Sequence, residues 1–274
     1  MLATYQKAER ILRDNGLFYF AGFLAALGLK YHYSTAGAED LRWILTPVAR
    51  LVTLLSGINF EWQLHSGFVS HSQGVVIAPA CAGINFLIIC FATIFFTFVG
   101  RLSSAWAKCS WLGVSLAAAY LVTLCANSIR IIISIYLFNA PIYGGRVTPA
   151  RVHELAGTLI YVCFLVAFFL AMQRLMLRCK RSAPLGEMIA TAGPGRSASV
   201  ARGVQIPFAW YALITIFVPL LNGAARRNGS QFAEHSALVT VTALFAFLVW
   251  LTIAVLFKKR VDISNKTKEK GEDV

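Results

Sequence analysis

Residues 77–99 read IAPACAGINFLIICFATIFFTFV. From Ala82 to Val99 the stretch holds eighteen residues without a single Asp, Glu, Lys or Arg. About 20 mostly apolar residues in helical form reach across the roughly 30 Å hydrocarbon core of a bilayer, so this segment reads as a membrane-spanning helix. It also starts oddly: Cys81 stands between Pro79 and Gly83, where a polar segment turns apolar.

The rest of the chain fits that reading. Of 274 residues, 58% are hydrophobic, and mean hydropathy is +0.66. Soluble domains are nearer 45–50% apolar. Further spans are expected at 17–33, at 109–126 running on into NSIRIIISIYLFN, at 153–173, at 206–223 and at 237–257. Residues 17–33 have a rival reading as a signal peptide, with a positive start, a short apolar core and then small residues. Residues 41–58, LRWILTPVARLVTLLSGI, are amphipathic and carry Arg42, Pro47 and Arg50, which suits an interfacial or re-entrant helix. Residues 59–78 are polar, aromatic and β-branched with Gly67 and Gly74, and predict a short extracytoplasmic β-hairpin. The expected fold class is therefore all-α, a polytopic transmembrane helical bundle with that hairpin and an interfacial helix. Four parts are expected: a membrane core over 1–181, a cytoplasmic linker rich in small residues over 182–205, a two-helix membrane extension over 206–257, and a charged cytoplasmic tail over 258–274.

The net charge of +13 would point to nucleic acid in a soluble protein. Here the basic residues flank apolar runs, so they set orientation and meet anionic lipid, and no nucleic-acid partner is expected. With the N-terminus cytoplasmic and 41–58 not crossing, the segments 1–16, 100–108, 174–205 and 258–274 lie inside and hold 17 of the 25 Lys and Arg residues. If 41–58 crossed, the cluster at 174–181 and the final KKR would fall outside, against the positive-inside tendency. The favoured topology brings Cys81, Arg130 and His153, from three separate segments, to one membrane face.

Each of the three has a plain alternative. Cys81 can be a packing cysteine, although Pro79 predicts a helical first turn around it, where the dipole favours a thiolate. Arg130 can snorkel to headgroups, but at that depth it is costly unless it is paired or faces a polar cavity. His153 can bond loop backbone. Together they make a nucleophile, a fixed cation and an imidazole, the equipment of acyl transfer. Asn127 lies three residues before Arg130 on one helical face, and Asn85 one turn beyond Cys81. Gly83, Ala156 and Gly157 permit close helix packing. No GxSxG, GxGxxG, P-loop or HExxH sequence occurs, which leaves serine-hydrolase, nucleotide and zincin readings unsupported. His65 and His71 lack a nearby third ligand, so no metal and no cofactor is expected. Two other classes stay open: a transporter or channel with Arg130 and His153 lining a polar path, and a non-catalytic envelope scaffold.

The motifs CAGIN (81–85), NSIR (127–130) and HELAG (153–157), in that order and on such spans, resemble the exosortase/archaeosortase family over roughly residues 60–175. The overall look is nearest the exosortase K branch. Alanine at position 82 departs from the serine many members carry, and leaves the nucleophile untouched. The resemblance implies a polytopic membrane cysteine transpeptidase or protease in a bacterial or archaeal cytoplasmic membrane. It makes Cys81 the nucleophile, Arg130 the family arginine and His153 the acid/base. The implied partners are membrane lipids and exported proteins with a three-part C-terminal tail: a short motif, one membrane helix and a basic end. Cleavage beside the motif would occur at the extracytoplasmic face. Asn85, Asn127, Gly83 and Gly157 are the expected substrate-binding positions.

Overall fold

A computed structural model describes residues 2–138, 140, 143–144, 148–182, 205–221, 229–230, 232–234, 236–248 and 252. The chain divides into two compact units, Met1–Lys180 and Arg181–Val274.

The first unit is a helical bundle with a small sheet at one end. Helix α1 runs over Leu2–Thr35, α2 over Arg42–Ser56, α3 over Ile84–Phe98, α4 over Ala105–Phe138 and α5 over Pro149–Ser182. Among the described residues, three helical stretches are long and apolar enough to cross a membrane: Pro79–Arg101, Ala105–Phe138 and Arg151–Arg178. The protein is thus an all-α polytopic membrane protein. Stretch Pro79–Arg101 is the central one. It is buried over most of its length, with Phe86, Phe91, Phe95 and Phe98 each at most 1% exposed. The expected span at 17–33 lies within α1, whose outer face bares Leu17, Phe20, Phe23, Leu24 and Leu27.

Helix α2 has 15 residues. At about 1.5 Å per residue it extends roughly 22 Å, short of the roughly 30 Å hydrocarbon core. It buries Ile44, Leu45, Val48 and Val52 and leaves Leu54 and Leu55 exposed. Pro47 sits inside this helix. A proline has no N–H to give the carbonyl four residues back, here that of Trp43. The Tyr120 hydroxyl of α4 supplies the missing donor at 2.9 Å, and the Trp43 and Tyr120 rings stack with centroids 5.7 Å apart. The proline that breaks the α2 ladder therefore creates the acceptor that fastens α2 to α4.

Residues 59–78 build more than the expected hairpin. They form a three-stranded antiparallel sheet in the order β1 (Glu61–Gln63), β2 (Gly67–Ser70), β3 (Val75–Ile77). Glu61 pairs with Val69 in one ladder, and Val69 with Val76 in the other. The extra strand is the VVI run. It pairs because a second tight turn at positions 71–74, with Gly74 at φ 61°, returns the chain to β2. This third strand leads straight to Pro79 and Cys81.

The second unit is described as a helix over Gln205–Ala212 (α6), a π-helical turn over Leu213–Phe217, a further turn over Val218–Leu221 (α7), and helical residues in 229–248. The π turn precedes Pro219, whose ring and missing N–H exclude the regular bond to residue 215. Phe208 and Phe247 meet edge to face at 5.2 Å. The expected spans at 206–223 and 237–257 fall here, and their last residues lie outside the described residues. So do the tail at 258–274 and the linker at 182–205, apart from its two end residues.

Candidate functional site

Strand β3 ends at Ile77, and residues Pro79–Cys81 form a single 3-10 turn. Pro79 occupies the start of that turn, where its missing N–H costs nothing. Cys81 closes the turn, its own N–H bonded to the Ala78 carbonyl at 2.8 Å. Helix α3 begins only at Ile84, after Gly83 in the left-handed region at φ 75°. Cys81 thus sits in the first helical turn of the Pro79–Arg101 stretch, as expected, but that turn is 3-10 and Gly83 sets it off from α3.

Three side chains from three elements line one cavity of about 320 Å³: Cys81, Arg130 of α4 and His153 of α5. The remaining wall is mostly apolar, with Val75, Val76 and Ile77 of β3, Ile131 and Ile135 of α4, and Tyr143 and Pro149 at the mouth of α5. Cys81 is half-buried and its thiol is free of any disulfide.

Asn127 is fully buried and anchors the turn. Its amide nitrogen donates to the Cys81 carbonyl at 2.5 Å, and its amide oxygen accepts from the Tyr161 hydroxyl of α5 at 3.0 Å. With both ends of the amide engaged, the side chain has one orientation. Gly83 makes room for it: a Cβ there would stand 3.1 Å from the Asn127 Cγ. Tyr161 in turn stacks on Phe86 of α3, with centroids 4.3 Å apart and planes 8° from parallel.

The Arg130 guanidinium carbon lies 5.2 Å from the centre of the Tyr161 ring. Its Nε is buried and, among the described residues, has no hydrogen-bond partner. No carboxylate pairs with it among those residues either. A cation over a ring face is attracted by the ring quadrupole, and an arginine in such a segment faces a polar cavity. Gly157 is the counter-surface, since a Cβ there would lie 3.3 Å from the Arg130 Cδ. His153 opens α5, and its Nδ1 is 2.8 Å from the Ser134 hydroxyl of α4. Ser134 also donates to the Arg130 carbonyl at 2.7 Å.

The three expected chemical residues thus share one cavity, while the four expected substrate-binding residues do not line it. Asn127 braces the Cys81 turn, and Gly83 and Gly157 are filled from within the bundle by Asn127 and Arg130. Asn85 is exposed and accepts from the Lys30 ammonium of α1 at 2.9 Å. A helical offset of four residues from Cys81 does not apply, because the turn and Gly83 break the helix between them. His71, in the turn after β2, contacts the Gln63 amide of β1 at 3.1 Å, and His65 is exposed at a left-handed corner, φ 66°.

Sequence reasoning passed over Ser134, Tyr161 and Tyr33. Ser134 was detectable as the polar residue one turn after Arg130 in an apolar run, and Tyr161 as the aromatic two turns after His153. Tyr33 of α1, within electrostatic reach of Cys81 and Arg130, left no local signal, because only the fold brings α1 there.

The fold and site define a class: a multi-pass helical membrane protein with a cysteine, an arginine and a histidine on one cavity at the mouth of its bundle. The family follows from the chain as a whole. The model of the transmembrane exosortase family (Exosortase_EpsH) matches residues 11–171, and the protein belongs to that family. The match takes in every residue of the cavity and its braces. No curated protein and no solved structure matches the chain.

Proposed function

We propose that the protein is a membrane-embedded cysteine transpeptidase or peptidase that processes C-terminal sorting signals of exported proteins at the extracytoplasmic face. The observation that carries this reading is the meeting of Cys81, Arg130 and His153 on one cavity, in a chain of the exosortase family.

The steps follow from the groups present. His153 takes the proton of the Cys81 thiol as sulfur attacks the scissile carbonyl carbon. The oxyanion that develops is met by the donors of Arg130, which stabilise its charge. The C–N bond breaks, the leaving amine takes the proton from His153, and an acyl thioester remains on Cys81. An acceptor amine or water then attacks the thioester, gives its proton to His153, and the Cys81 sulfur leaves and is reprotonated. The apolar wall from β3 and α4 suits a substrate whose motif adjoins a membrane helix. The basic end of such a tail stays on the cytoplasmic side by the positive-inside tendency, which puts the scissile bond at the opposite, Cys81 end of the bundle.

The test is to co-express the protein with an exported protein of the same genome that ends in a short motif, one apolar helix and a basic cluster. The expected result is loss of the tail, with a thioester recoverable on Cys81 by mass spectrometry after acid quench. Unchanged processing by a Cys81→Ala variant would overturn the reading.

A further inference from the structure

His153 alone is an ambiguous base, because a neutral imidazole carries its proton on either nitrogen and only the other one can accept. The surroundings of the ring remove that ambiguity. The Ser134 hydroxyl has one proton, and it is donated to the Arg130 carbonyl one helical turn back, at 2.7 Å. Toward His153 the same oxygen can then act only as an acceptor. The 2.8 Å contact between that oxygen and Nδ1 therefore needs the imidazole proton on Nδ1. Nε2 is left with its lone pair and, among the described residues, with no hydrogen-bond partner.

We propose that Ser134 is a positioning residue of this site: it fixes His153 as the Nδ1–H tautomer and so makes Nε2 the nitrogen that exchanges protons in the cavity. It fills the place that a carboxylate or amide takes in other nucleophile–imidazole sites. A carboxylate in the place of Ser134 would pair with the nearby Arg130, which lines the same cavity. A hydroxyl orients the ring without drawing the guanidinium away. The chain of contacts also ties the two groups together, since the oxygen that holds the imidazole is itself hung on the backbone of the arginine. The charged groups within electrostatic reach of the ring are Arg130 from α4 and Glu154 from its own helix.

This inference deepens the reading of the cavity as a thiol-transfer site and rests on it for its purpose, but its first test does not. Full-length protein labelled with ¹⁵N-histidine is reconstituted in nanodiscs at about pH 8, above the usual imidazole pKa of about 6.5. The His153 ring signals are assigned by their loss in His153→Gln. A protonated Nδ1 and unprotonated Nε2 are expected in the native protein, a mixture or reversal in Ser134→Ala, and the native pattern again in Ser134→Thr. A protonated Nε2 in the native protein, or a Ser134→Ala spectrum identical to it, overturns the proposal.

The second readout is the rate at which iodoacetamide alkylates Cys81, followed by mass spectrometry. Ser134→Ala is expected to slow it about tenfold, a part of what a positioned base contributes, and Ser134→Thr to restore it. An unchanged rate in Ser134→Ala overturns the proposal as well. Failure of the processing reading shows instead as a Cys81→Ala variant that still processes a tailed protein, an outcome the tautomer measurement does not share.

Discussion

The helices α3, α4 and α5 are built differently at their two ends. At the Phe98 end they close on aromatic rings: Phe98 meets Trp111 of α4 edge to face at 6.1 Å and stacks on Phe169 of α5 at 5.8 Å. The Arg101 guanidinium covers the same ring at 5.0 Å. At the Cys81 end the turn before α3 contributes a thiol, α4 a guanidinium and α5 an imidazole to a cavity of about 320 Å³, with the Asn127 amide and the Tyr161 phenol bonded behind them. The closed end fills its volume with rings in contact. The open end keeps volume free, and its Asn127, Tyr161 and His153 side chains are held by hydrogen bonds, which fix orientation without filling space. A membrane protein of this kind can therefore place its chemistry where packing is least complete, provided that the opposite end holds the helices in register.

That contrast can be broken from either side. The largest effect is expected from Cys81→Ala, which removes the nucleophile and should bring tail processing to background, while thermal unfolding in detergent stays within about 1 kcal/mol of the native protein. Arg130→Ala should lower processing about 10²–10³-fold, as the loss of one oxyanion donor does elsewhere. Arg130→Lys should recover little of it, because an ammonium cannot lie flat on the Tyr161 ring and present a fork of donors. Phe98→Ala is the mirror experiment. It should cost about 3 kcal/mol of stability by opening a void at the closed end, read as a lowered melting temperature. The fraction that remains folded should form the thioester at the native rate.

Smaller effects sharpen the comparison. Asn127→Ala removes the donor to the Cys81 carbonyl and the amide oxygen that the Tyr161 hydroxyl bonds, at a cost of about 1–3 kcal/mol. Processing should fall more steeply than stability, since the lost bond holds the turn that carries the thiol. Hydrogen exchange at residues 79–83, set against exchange in α3, measures that loosening directly. Gly157→Ala should have the least effect, a few-fold loss of rate. Its new methyl meets only the Arg130 stem at 3.3 Å, and a flexible side chain yields more cheaply than backbone does. The equivalent change at Gly83 should be worse, because φ there is 75° and a left-handed backbone adds about 1–2 kcal/mol for any residue with a Cβ.

Much of this could be read before any coordinates. An uncharged run of eighteen residues has few options, and the three long apolar helices fall where the runs do. An amphipathic pattern with Arg42, Pro47 and Arg50 marked 41–58 as unlike a clean span, and α2 is short, at 15 residues. Cys81, Arg130 and His153 were singled out because each residue type is expensive or unusual at its place. What stayed hidden were residues whose local setting is ordinary. Asn127 could be placed on the face of Arg130, but not assigned to the carbonyl of a turn 46 positions earlier. Asn85 looked like a neighbour of Cys81 by helical spacing, and the left-handed Gly83 removed it from the cavity. The third strand of the sheet depended on a turn whose direction the residue pattern at 71–74 does not specify.

Apolar run length, charge placement and a handful of costly residues determined, from the sequence alone, that this chain is a membrane bundle with Cys81, Arg130 and His153 gathered toward one end. Those signals are local, and their free energies of transfer are large enough to leave few alternatives. Only the tertiary structure decided which group faces His153 Nδ1, what Asn127 holds, and which glycines are filled from within. Such choices rest on hydrogen bonds worth about 1 kcal/mol each, between groups that become neighbours only once the helices have packed.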